Sequence, residues 1–335
     1  MNAKKYFLPL IIIIINLATY TYSQNTEYIY TATWNLENLF DTIDDADTKD
    51  EEFTPNGAKN WTEEKLTEKI YNLSRVIKYM NELRGPDILG VQEVEHEHLL
   101  KTLLEKHFCD RNYKIVYKES LDGRGIDNGL IYNADKFTFI EKELLEVKLK
   151  DGWQTRYILR VRLKHNKNEI ISVFVNHWPS RSGGQERSEP GRIIAAETLK
   201  DKLEQIKKNQ PNEHIIILGD FNDEPINTSL QIVEKADGEN KLIRNLSKDL
   251  AATGKGSYKF ADRWNMLDQI LISKNFEDGI GIEYVNDSFE IISPEFALTK
   301  TGSYKGTFRP TFGGRNYLGG FSDHFPVGAL FKFIQ

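Results

Sequence analysis

The feature that most constrains the fold is a pattern that occurs twice along the chain. In each half, a segment typical of a β-strand ends in a polar cluster containing asparagine, and a helical segment and a short apolar strand ending in an acid follow it. The first half contains WNLEN, a helix and VQE, and the second contains NHWPS, a helix and GDFND. Two similar halves of this kind predict two β-sheets packed face to face with helices outside. The polar strand ends would then meet at one edge.

The second of these apolar strands lies in HIIILGDFNDEP, residues 214–225. The run Ile215 to Leu218 is typical of a short, fully buried strand, and Gly219 ends it. Asp220 and Asn222 then lie at the mouth of a buried strand, where unpaired polar groups are destabilising. A divalent cation and its water would pair with them well. On this stretch alone, residues of a turn that closes a strand are an equally good interpretation.

The first 23 residues are typical of a secretory signal peptide. Lys4 and Lys5 precede the mostly apolar run Tyr6 to Leu17, and Thr21-Tyr22-Ser23 offers small residues for cleavage. The run is short for a membrane span of about 20 residues, although an uncleaved anchor is the alternative. We expect an exported protein, secreted or periplasmic, with one domain over residues 24–335 and no stable membrane span after cleavage.

Charge and cysteine content exclude several classes of function. Without the leader, the chain has 42 basic and 50 acidic residues, a charge of −8. A broad basic surface for duplex nucleic acid is therefore not expected, although a local basic groove is allowed. Cys109 is the only cysteine, which excludes an intramolecular disulfide and a CxxC zinc pair. We expect it to be an ordinary packing residue.

Nine polar residues at predicted strand ends could carry chemistry. They are Asn35, Glu37, Glu93, His177, Asp220, Asn222, Asp268, Asp323 and His324. Each alone could be a turn residue, a surface acid or a structural histidine, but Asp268 interrupts an apolar run and needs a buried partner. Together, oxygen ligands and histidines without cysteine suit Mg²⁺, Mn²⁺ or Ca²⁺. This set is suited to cleaving a phosphate ester.

Arginine and aromatic residues near these positions are candidates for substrate binding. Arg181, Arg187 and Arg192 follow His177 closely, and Arg124 lies in GRGIDNG. The planar guanidinium suits phosphate oxygens, and solvated surface arginines are the alternative.

The loop FRPTFGGRNYLGGFSDH, just before His324, carries Arg309 and Tyr317. Its aromatic residues could stack on nucleic-acid bases. They could equally form the core of a compact loop.

Six segments in order resemble the motifs of the endonuclease/exonuclease/phosphatase superfamily, which includes deoxyribonuclease I, exonuclease III, neutral sphingomyelinases and inositol polyphosphate phosphatases. They are WNLENLF, DILGVQEVE, NHWPSR, LGDFNDEP, LDQILIS and SDHFPV, spanning residues 34 to 327. The resemblance implies a four-layer α/β/β/α sandwich, two packed mixed β-sheets flanked by helices. It agrees with the two-half pattern.

On the metal side, the resemblance implies that Glu93 is the principal ligand, with Asn35 beside it at the metal or phosphate. Asp323 resembles a further metal-side carboxylate. Glu37 falls where some members carry an acidic ligand for a second metal. The implied cofactor is Mg²⁺, with Mn²⁺ or Ca²⁺ as alternatives, and the number of metals stays open.

On the catalytic side, Asp220 resembles the residue that orients or deprotonates the attacking water, helped by Asn222. His177 and His324 would contact the scissile phosphate, and Asp268 would orient His324. The implied reaction is in-line attack of an activated water on phosphorus without a covalent intermediate. Whether Asp220 or His324 is the base stays open.

Two substrate classes follow. One is DNA or RNA, which makes the protein an exported nuclease, and the other is phospholipid headgroups or small phosphorylated metabolites. The absence of an evident apolar hairpin or basic amphipathic helix for docking on bilayers favours the nuclease, while the acidity modestly favours the second class. A monomer is expected. A non-enzymatic binding protein is disfavoured because every catalytic motif position is retained.

Overall fold

The computed structural model describes residues 26–152, 154–236 and 243–334, so the predicted leader, residues 1–23, lies outside the described residues. The strands are β1 (Tyr28–Leu39), β2 (Ile88–Val94), β3 (Tyr113–Tyr117), β4 (Asp127–Asn133), β5 (Phe137–Leu145), β6 (Ile158–His165), β7 (Ile170–His177), β8 (His214–Asp220), β9 (Ile243–Asn245), β10 (Tyr258–Phe260), β11 (Arg263–Asn265), β12 (Asp268–Ser273), β13 (Ile282–Tyr284), β14 (Glu290–Ile291), β15 (Phe312–Gly313), β16 (Asn316–Tyr317) and β17 (Val327–Phe333). The helices are α1 (Glu63–Tyr79), α2 (Glu97–His107), α3 (Gln185–Asn209), α4 (Thr228–Glu234) and α5 (Lys248–Ala252).

The strands form two mixed sheets. The first has the order β13-β17-β1-β2-β4-β3, with β14 also paired to β17, and the second has the order β5-β6-β7-β8-β12-β9. The pairs β1–β2 and β7–β8 are parallel and the other pairs are antiparallel. In each parallel pair the two strands are connected through a helix, α1 or α3, as the repeated pattern predicts.

Apolar side chains fill three spaces between the layers. Ile88 and Ile216 belong to a cluster between the two sheets. Leu73 of α1 packs in a cluster on the outer face of the first sheet, and Leu199 of α3 packs in one on the outer face of the second. The predicted four-layer α/β/β/α sandwich is confirmed. Among the described residues, no helix is long and apolar enough to cross a membrane.

Three local predictions differ from the structure. The apolar pattern from Thr62 to Leu83 predicts one helix, but α1 ends at Tyr79, and Asn81 adopts a left-handed conformation with φ 52°. The sequence predicts a helix from about Glu189 to Lys208 with Pro190 in its first turn, but α3 begins at Gln185, since backbone bonds such as Ser188 N to Gly184 O form before Pro190. The proline therefore lies in the second turn and not in the first. Cys109 is exposed and is not a packing residue.

Candidate active site

The polar strand ends meet because each sheet has one parallel pair, and the carboxyl ends of parallel strands lie at the same edge. His177 is opposite Asp220 in the β7–β8 pair. Asp268, at the start of antiparallel β12, is also opposite Asp220. Asn35 is the last residue of β1 before its pairing with β2 becomes irregular, and its Nδ2 donates to Oδ2 of Asp220 at 3.0 Å, which joins the first sheet to the second.

His324 lies against this row of strand ends. Its Nδ1 is 2.7 Å from Oδ2 of buried Asp268, and its Nε2 is 3.9 Å from Oδ2 of Asp220. Ligand atoms of these three residues all lie within 4.8 Å of one another. The ring of Tyr258 stacks on the imidazole, with centroids 4.6 Å apart. This contact has the geometry that the predicted orientation of His324 by Asp268 requires.

The backbone around His324 is tied to β1. Ser322 Oγ donates to the carbonyl oxygen of Asn35 at 2.7 Å, and Nε1 of buried Trp34 donates to the carbonyl oxygen of His324 at 2.9 Å. Two consecutive residues of β1 therefore fix the loop that carries the histidine.

The pKa values of His324 and His177 are shifted in opposite directions. Burial by itself would lower the pKa of His324, but Asp268, Asp323 and Asp220 outweigh it and raise the pKa well above its usual value. Burial, followed by the charge of Arg156, lowers the pKa of His177 well below its usual value. The surroundings therefore favour the imidazolium form of His324 and the neutral form of His177.

Asp220 is a buried carboxylate held by two donors. Burial raises its pKa to about 6, against the charge of His324. The backbone N–H of Asn222 donates to Oδ1 at 2.8 Å, and Asn35 donates to Oδ2. Only glycine fits before Asp220, since Gly219 has φ +135° and a Cβ there would lie 2.0 Å from the backbone oxygen of Asn176. Asp220 is ionised at neutral pH and can accept a proton.

Carboxylates gather on the other side of the site. Irregularities in strand pairing follow Asn35 in β1 and Val91 in β2, and Glu37 and Glu93 in these stretches have positive φ values of 53° and 61°. Oε2 of Glu93 accepts the backbone N–H of Asn38 at 2.9 Å, and its Oε1 lies 3.7 Å from Nε2 of His177. Pairing irregularities of this kind, called β-bulges, change the direction of the side chains that follow, here those of Glu37 and Glu93.

Asp323 completes this carboxylate group. Desolvation at the cavity floor, with the charges of Glu37 and Glu93, raises its pKa to about 7 although His324 opposes the shift. The protein therefore balances the negative charges here only in part. A divalent cation would balance them, and oxygen ligands are those that hard cations prefer.

These groups open into a cavity of about 900 Å³. Residues of the predicted site that line it are Glu93, Arg124, His177, Arg181, Asp220, Asn222, Asp323 and His324. Arg124 is half-exposed beside Asp122, so its guanidinium is available to a ligand. Arg181 lines the wall but donates to the carbonyl oxygen of Asn222 and to Oδ1 of Asn265. It holds the wall together and is less available to substrate than its sequence position suggests.

Arg309 and Tyr317 do not line the cavity. Arg309 donates to the carbonyl oxygen of Gly319, and the Tyr317 hydroxyl donates to Oε2 of Glu68. The substrate-binding prediction for these two residues is not supported, because their polar groups are used within the loop and against α1. Arg192 is fully buried in an ion pair with Asp223, at 2.8 Å, so it is also not a phosphate contact.

A sequence model of the Endonuclease/Exonuclease/phosphatase family matches residues 30–332, which include both sheets and the site. The chain belongs to this family. The resemblance seen in the six motifs is confirmed, and as a family member the chain is a metal-dependent hydrolase of phosphate esters. A search of curated proteins gave no match.

Solved structures share the family fold at low sequence identity. A family protein from Bacteroides thetaiotaomicron has 16% identity and a TM-score of 0.58, covering 92% of this chain and 98% of its own. A mannosyl-6-phosphatase from the same organism has 17% identity and a TM-score of 0.55, with 90% and 98% covered. D. rerio TDP2 complexed with single strand DNA product has 13% identity and a TM-score of 0.52, with 91% and 98% covered. At these identities the likeness establishes the fold.

The family implies a divalent cation, and the residues present fit one. Glu93, Asp323 and Asn35 would hold it, because their oxygens lie where negative charge is in excess. The cation would supply positive charge for the phosphate and the leaving oxygen.

Glu37 is part of this metal side but is engaged by the protein. Its Oε2 accepts the backbone N–H of Thr311 at 2.6 Å and lies 3.6 Å from Nζ of Lys69. Lys69 is fully buried and also donates to the carbonyl oxygen of Phe321. Sequence reasoning missed Lys69, although a lysine between Leu66 and Ile70 on an apolar helix face was the available signal. Lys69 balances part of the negative charge of Glu37, Asp323 and Glu93 on the metal side of the site.

Sequence reasoning also missed the hairpin of β10 and β11, which forms one wall of the cavity. Phe260 at its tip is 70% exposed, and Arg263 follows it at the rim. The signal was weak, because each strand has only three residues and the connecting residues, Ala261 and Asp262, are not a strong turn pair.

Proposed function

We propose that this family member is an exported phosphodiesterase that hydrolyses DNA or RNA. The observation that carries the chemistry is the arrangement of two groups at one cavity floor: Nε2 of His324 lies 3.9 Å from Oδ2 of Asp220, and Asp268 holds Nδ1 of the same ring at 2.7 Å. Such a pair of groups with opposite proton affinities suits acid–base catalysis. It also favours Asp220 over His324 as the base, the alternative that the sequence left open.

In this proposal the side chains have separate tasks. Asp220 takes a proton from the attacking water, while Asn35 and the Asn222 backbone hold its carboxylate in place. The His324 imidazolium and the neutral His177 donate to phosphate oxygens as negative charge develops on them. Water attacks phosphorus in line with the leaving oxygen, and no covalent enzyme intermediate forms.

The proposal of nucleic acid as substrate rests on the cavity rim. Phe260 is a large, exposed aromatic side chain, and aromatic faces stack on any base. Arg124 and Arg263 provide cationic groups near the same opening, so a strand could place its phosphate on the catalytic floor and a neighbouring base on the hairpin. TDP2, a structural neighbour, has been solved with single strand DNA product. A single-stranded segment fits better than a duplex, because the net charge of the whole chain is −6.

A second candidate is a phosphoesterase of headgroups or small phosphorylated metabolites. The cavity walls are formed by the hairpin and by residues 180–185, which could enclose a compact substrate. The mannosyl-6-phosphatase among the structural neighbours is consistent with this candidate.

Export is the remaining part of the proposal, and it is supported by the charge and apolar pattern of residues 1–23. The amino-terminal sequence of protein recovered from the producing cells, together with its location in cell fractions, tests it. Export predicts a chain that starts near Gln24 outside the cytoplasm, whereas an intact leader on cytoplasmic protein would contradict it.

A substrate panel tests the activity. Purified residues 24–335 would be assayed with single-stranded DNA, plasmid DNA, RNA, sphingomyelin, sugar phosphates and bis-p-nitrophenyl phosphate, each with Mg²⁺, Mn²⁺ or Ca²⁺. We expect metal-dependent cleavage of nucleic acid and of the model diester. Turnover of sugar phosphates or lipid headgroups without nucleic-acid cleavage would favour the second candidate.

A further inference from the structure

A second group of acidic residues lies just after the strand end that carries Glu93. Ligand atoms of Asp41, Glu95 and His96 all lie within 4.8 Å of one another. Asp50 belongs to the same loop, and its Oδ2 accepts the backbone N–H of Asp45 at 3.1 Å. This acidic group is formed by residues that the catalytic proposal does not use.

Two of these carboxylates each have one oxygen without a partner. Glu95 and Asp50 are both only 1% exposed. Oε2 of Glu95 accepts the backbone N–H of Asp41 at 2.7 Å, whereas its Oε1 and the Oδ1 of Asp50 are buried and have no hydrogen-bond partner in the described chain. Buried, unsatisfied carboxylate oxygens are strongly unfavourable. These two oxygens are therefore free to bind a cation.

The protein supplies little opposing charge. Asp41 and Glu95 are in direct contact, since the Asp41 backbone N–H donates to Glu95, and Asp45 and Asp50 lie in the same loop. Between residues 26 and 334, as far as the structure describes them, no lysine or arginine forms an ion pair with these four acids. The nearest side chains that can carry positive charge are imidazoles: His96 Nε2 lies 3.0 Å from Asp45, and His98 Nε2 lies 3.4 Å from Asp41. Glu37, by contrast, has a buried lysine beside it, since Nζ of Lys69 lies 3.6 Å from its Oε2.

We propose that the acidic group binds a second divalent cation, separate from the catalytic one. The carboxylates of Asp41 and Glu95 and the imidazole of His96 would be its ligands, with Asp50 next to them. A donor set dominated by carboxylates suits Ca²⁺ or Mn²⁺.

The position of this site gives it a structural role. Glu95 N–H donates to the carbonyl oxygen of Leu39, and Asn38 N–H donates to Glu93. A cation on Asp41 and Glu95 would therefore join the ends of β1 and β2 at the point where Glu93 leaves the sheet. It would act as a positioning element for the catalytic metal ligand and would order the loop from Asp41 to Asp50.

The test separates the two sites by substitution. Glu93→Gln removes the main ligand of the catalytic cation, and metal-free protein of this variant would be titrated with CaCl₂ and, separately, MnCl₂ by calorimetry. We expect one equivalent to bind and thermal unfolding to shift upward by about 5 °C at a hundredfold excess over Kd. The double variant Glu93→Gln/Glu95→Gln should bind at least tenfold more weakly, and its upward shift at the same ion concentration should be no more than about half as large.

A matched control is Glu93→Gln/Asp47→Asn, since Asp47 is an exposed acid of the same loop. This variant should bind like Glu93→Gln. If the Glu95 variant does not fold by circular dichroism, Glu93→Gln/Asp50→Asn takes its place, with the same expected loss. Glu93→Gln protein that binds neither ion, or equal affinity in the Glu95 or Asp50 variants, would overturn the proposal. These readouts do not involve turnover, so failure here leaves the proposed function untouched.

Discussion

Nδ1 of His324 lies 2.7 Å from Oδ2 of Asp268, a carboxylate that is fully buried and opposite Asp220 in the second sheet. The other oxygen of Asp268 has no hydrogen-bond partner among the described residues. His324 is therefore the partner of the Asp268 carboxylate, which orients the imidazole ring and raises its pKa.

Replacing Asp268 with asparagine should remove this effect with little change in shape. We expect kcat to fall by about 100-fold or more, because His324 loses both its orientation and its charge. Steady-state kinetics on bis-p-nitrophenyl phosphate would measure it, with circular dichroism to verify folding. Asp287→Asn, an exposed and remote acid, is the control and should behave like the unsubstituted protein. Near-full activity in folded Asp268→Asn would argue against the assignment.

The pH dependence of kcat/KM follows from the two catalytic groups. Asp220 must be ionised and its pKa is raised to about 6, so activity should rise as pH increases through about 6. His324 must be protonated and its pKa is raised well above the usual value, so activity should fall only at alkaline pH. In Asp268→Asn the main opposing charge is lost, and the alkaline fall should move to lower pH. An unmoved alkaline limb would mean that another group titrates there.

Glu93 is expected to control binding of the catalytic cation. Glu93→Gln should lower activity by about two orders of magnitude or more, since charge stabilisation by a metal is worth several kcal/mol. Chelation of the unsubstituted protein should abolish activity, and added Mg²⁺ or Mn²⁺ should restore it. Glu97→Gln, which alters a nearby acid paired with Lys101, is the matched control. Full activity in folded Glu93→Gln would contradict the site.

The buried pair of Lys69 and Glu37 should be important for stability. Lys69→Met leaves the Glu37 carboxylate without its cation, and breaking a buried pair costs about 3–5 kcal/mol. Denaturant unfolding would measure the free energy. Lys69→Met/Glu37→Gln should recover part of the loss, because no uncompensated charge remains. A double variant no more stable than Lys69→Met would show that other Lys69 contacts, such as the one to Thr311, dominate.

Phe260 should affect polymeric substrates selectively. Phe260→Ala is expected to weaken single-stranded DNA binding by about 1–3 kcal/mol, the usual value of one stacked base. This corresponds to a rise in KM of about 5- to 150-fold, while kcat/KM for bis-p-nitrophenyl phosphate should fall much less, because that substrate has no neighbouring nucleotide to stack on the hairpin. Exposed Tyr304 offers a control, as Tyr304→Ala. Equal losses on both substrates would instead indicate a general effect on the cavity.

The sequence by itself determined the layers and the catalytic edge. A buried strand such as Ile215–Leu218 and an apolar helix face such as that of α1 are local patterns, because side-chain period follows directly from backbone geometry. The order of the motifs then placed Asn35, Asp220 and His324 at converging strand ends. Local patterns of this kind do not depend on which distant residue will be a neighbour.

Only the tertiary structure decided the pKa shifts of the site residues and the partners of the charged side chains. Asp220 and His324 differ in protonation because of burial and of charges that come from distant parts of the chain. Lys69 reaches Glu37 from another layer, and Arg309 turns to a carbonyl oxygen of its own loop. Such outcomes depend on distances between residues far apart in sequence. Electrostatic interactions and desolvation vary steeply with those distances, so no local pattern encodes them.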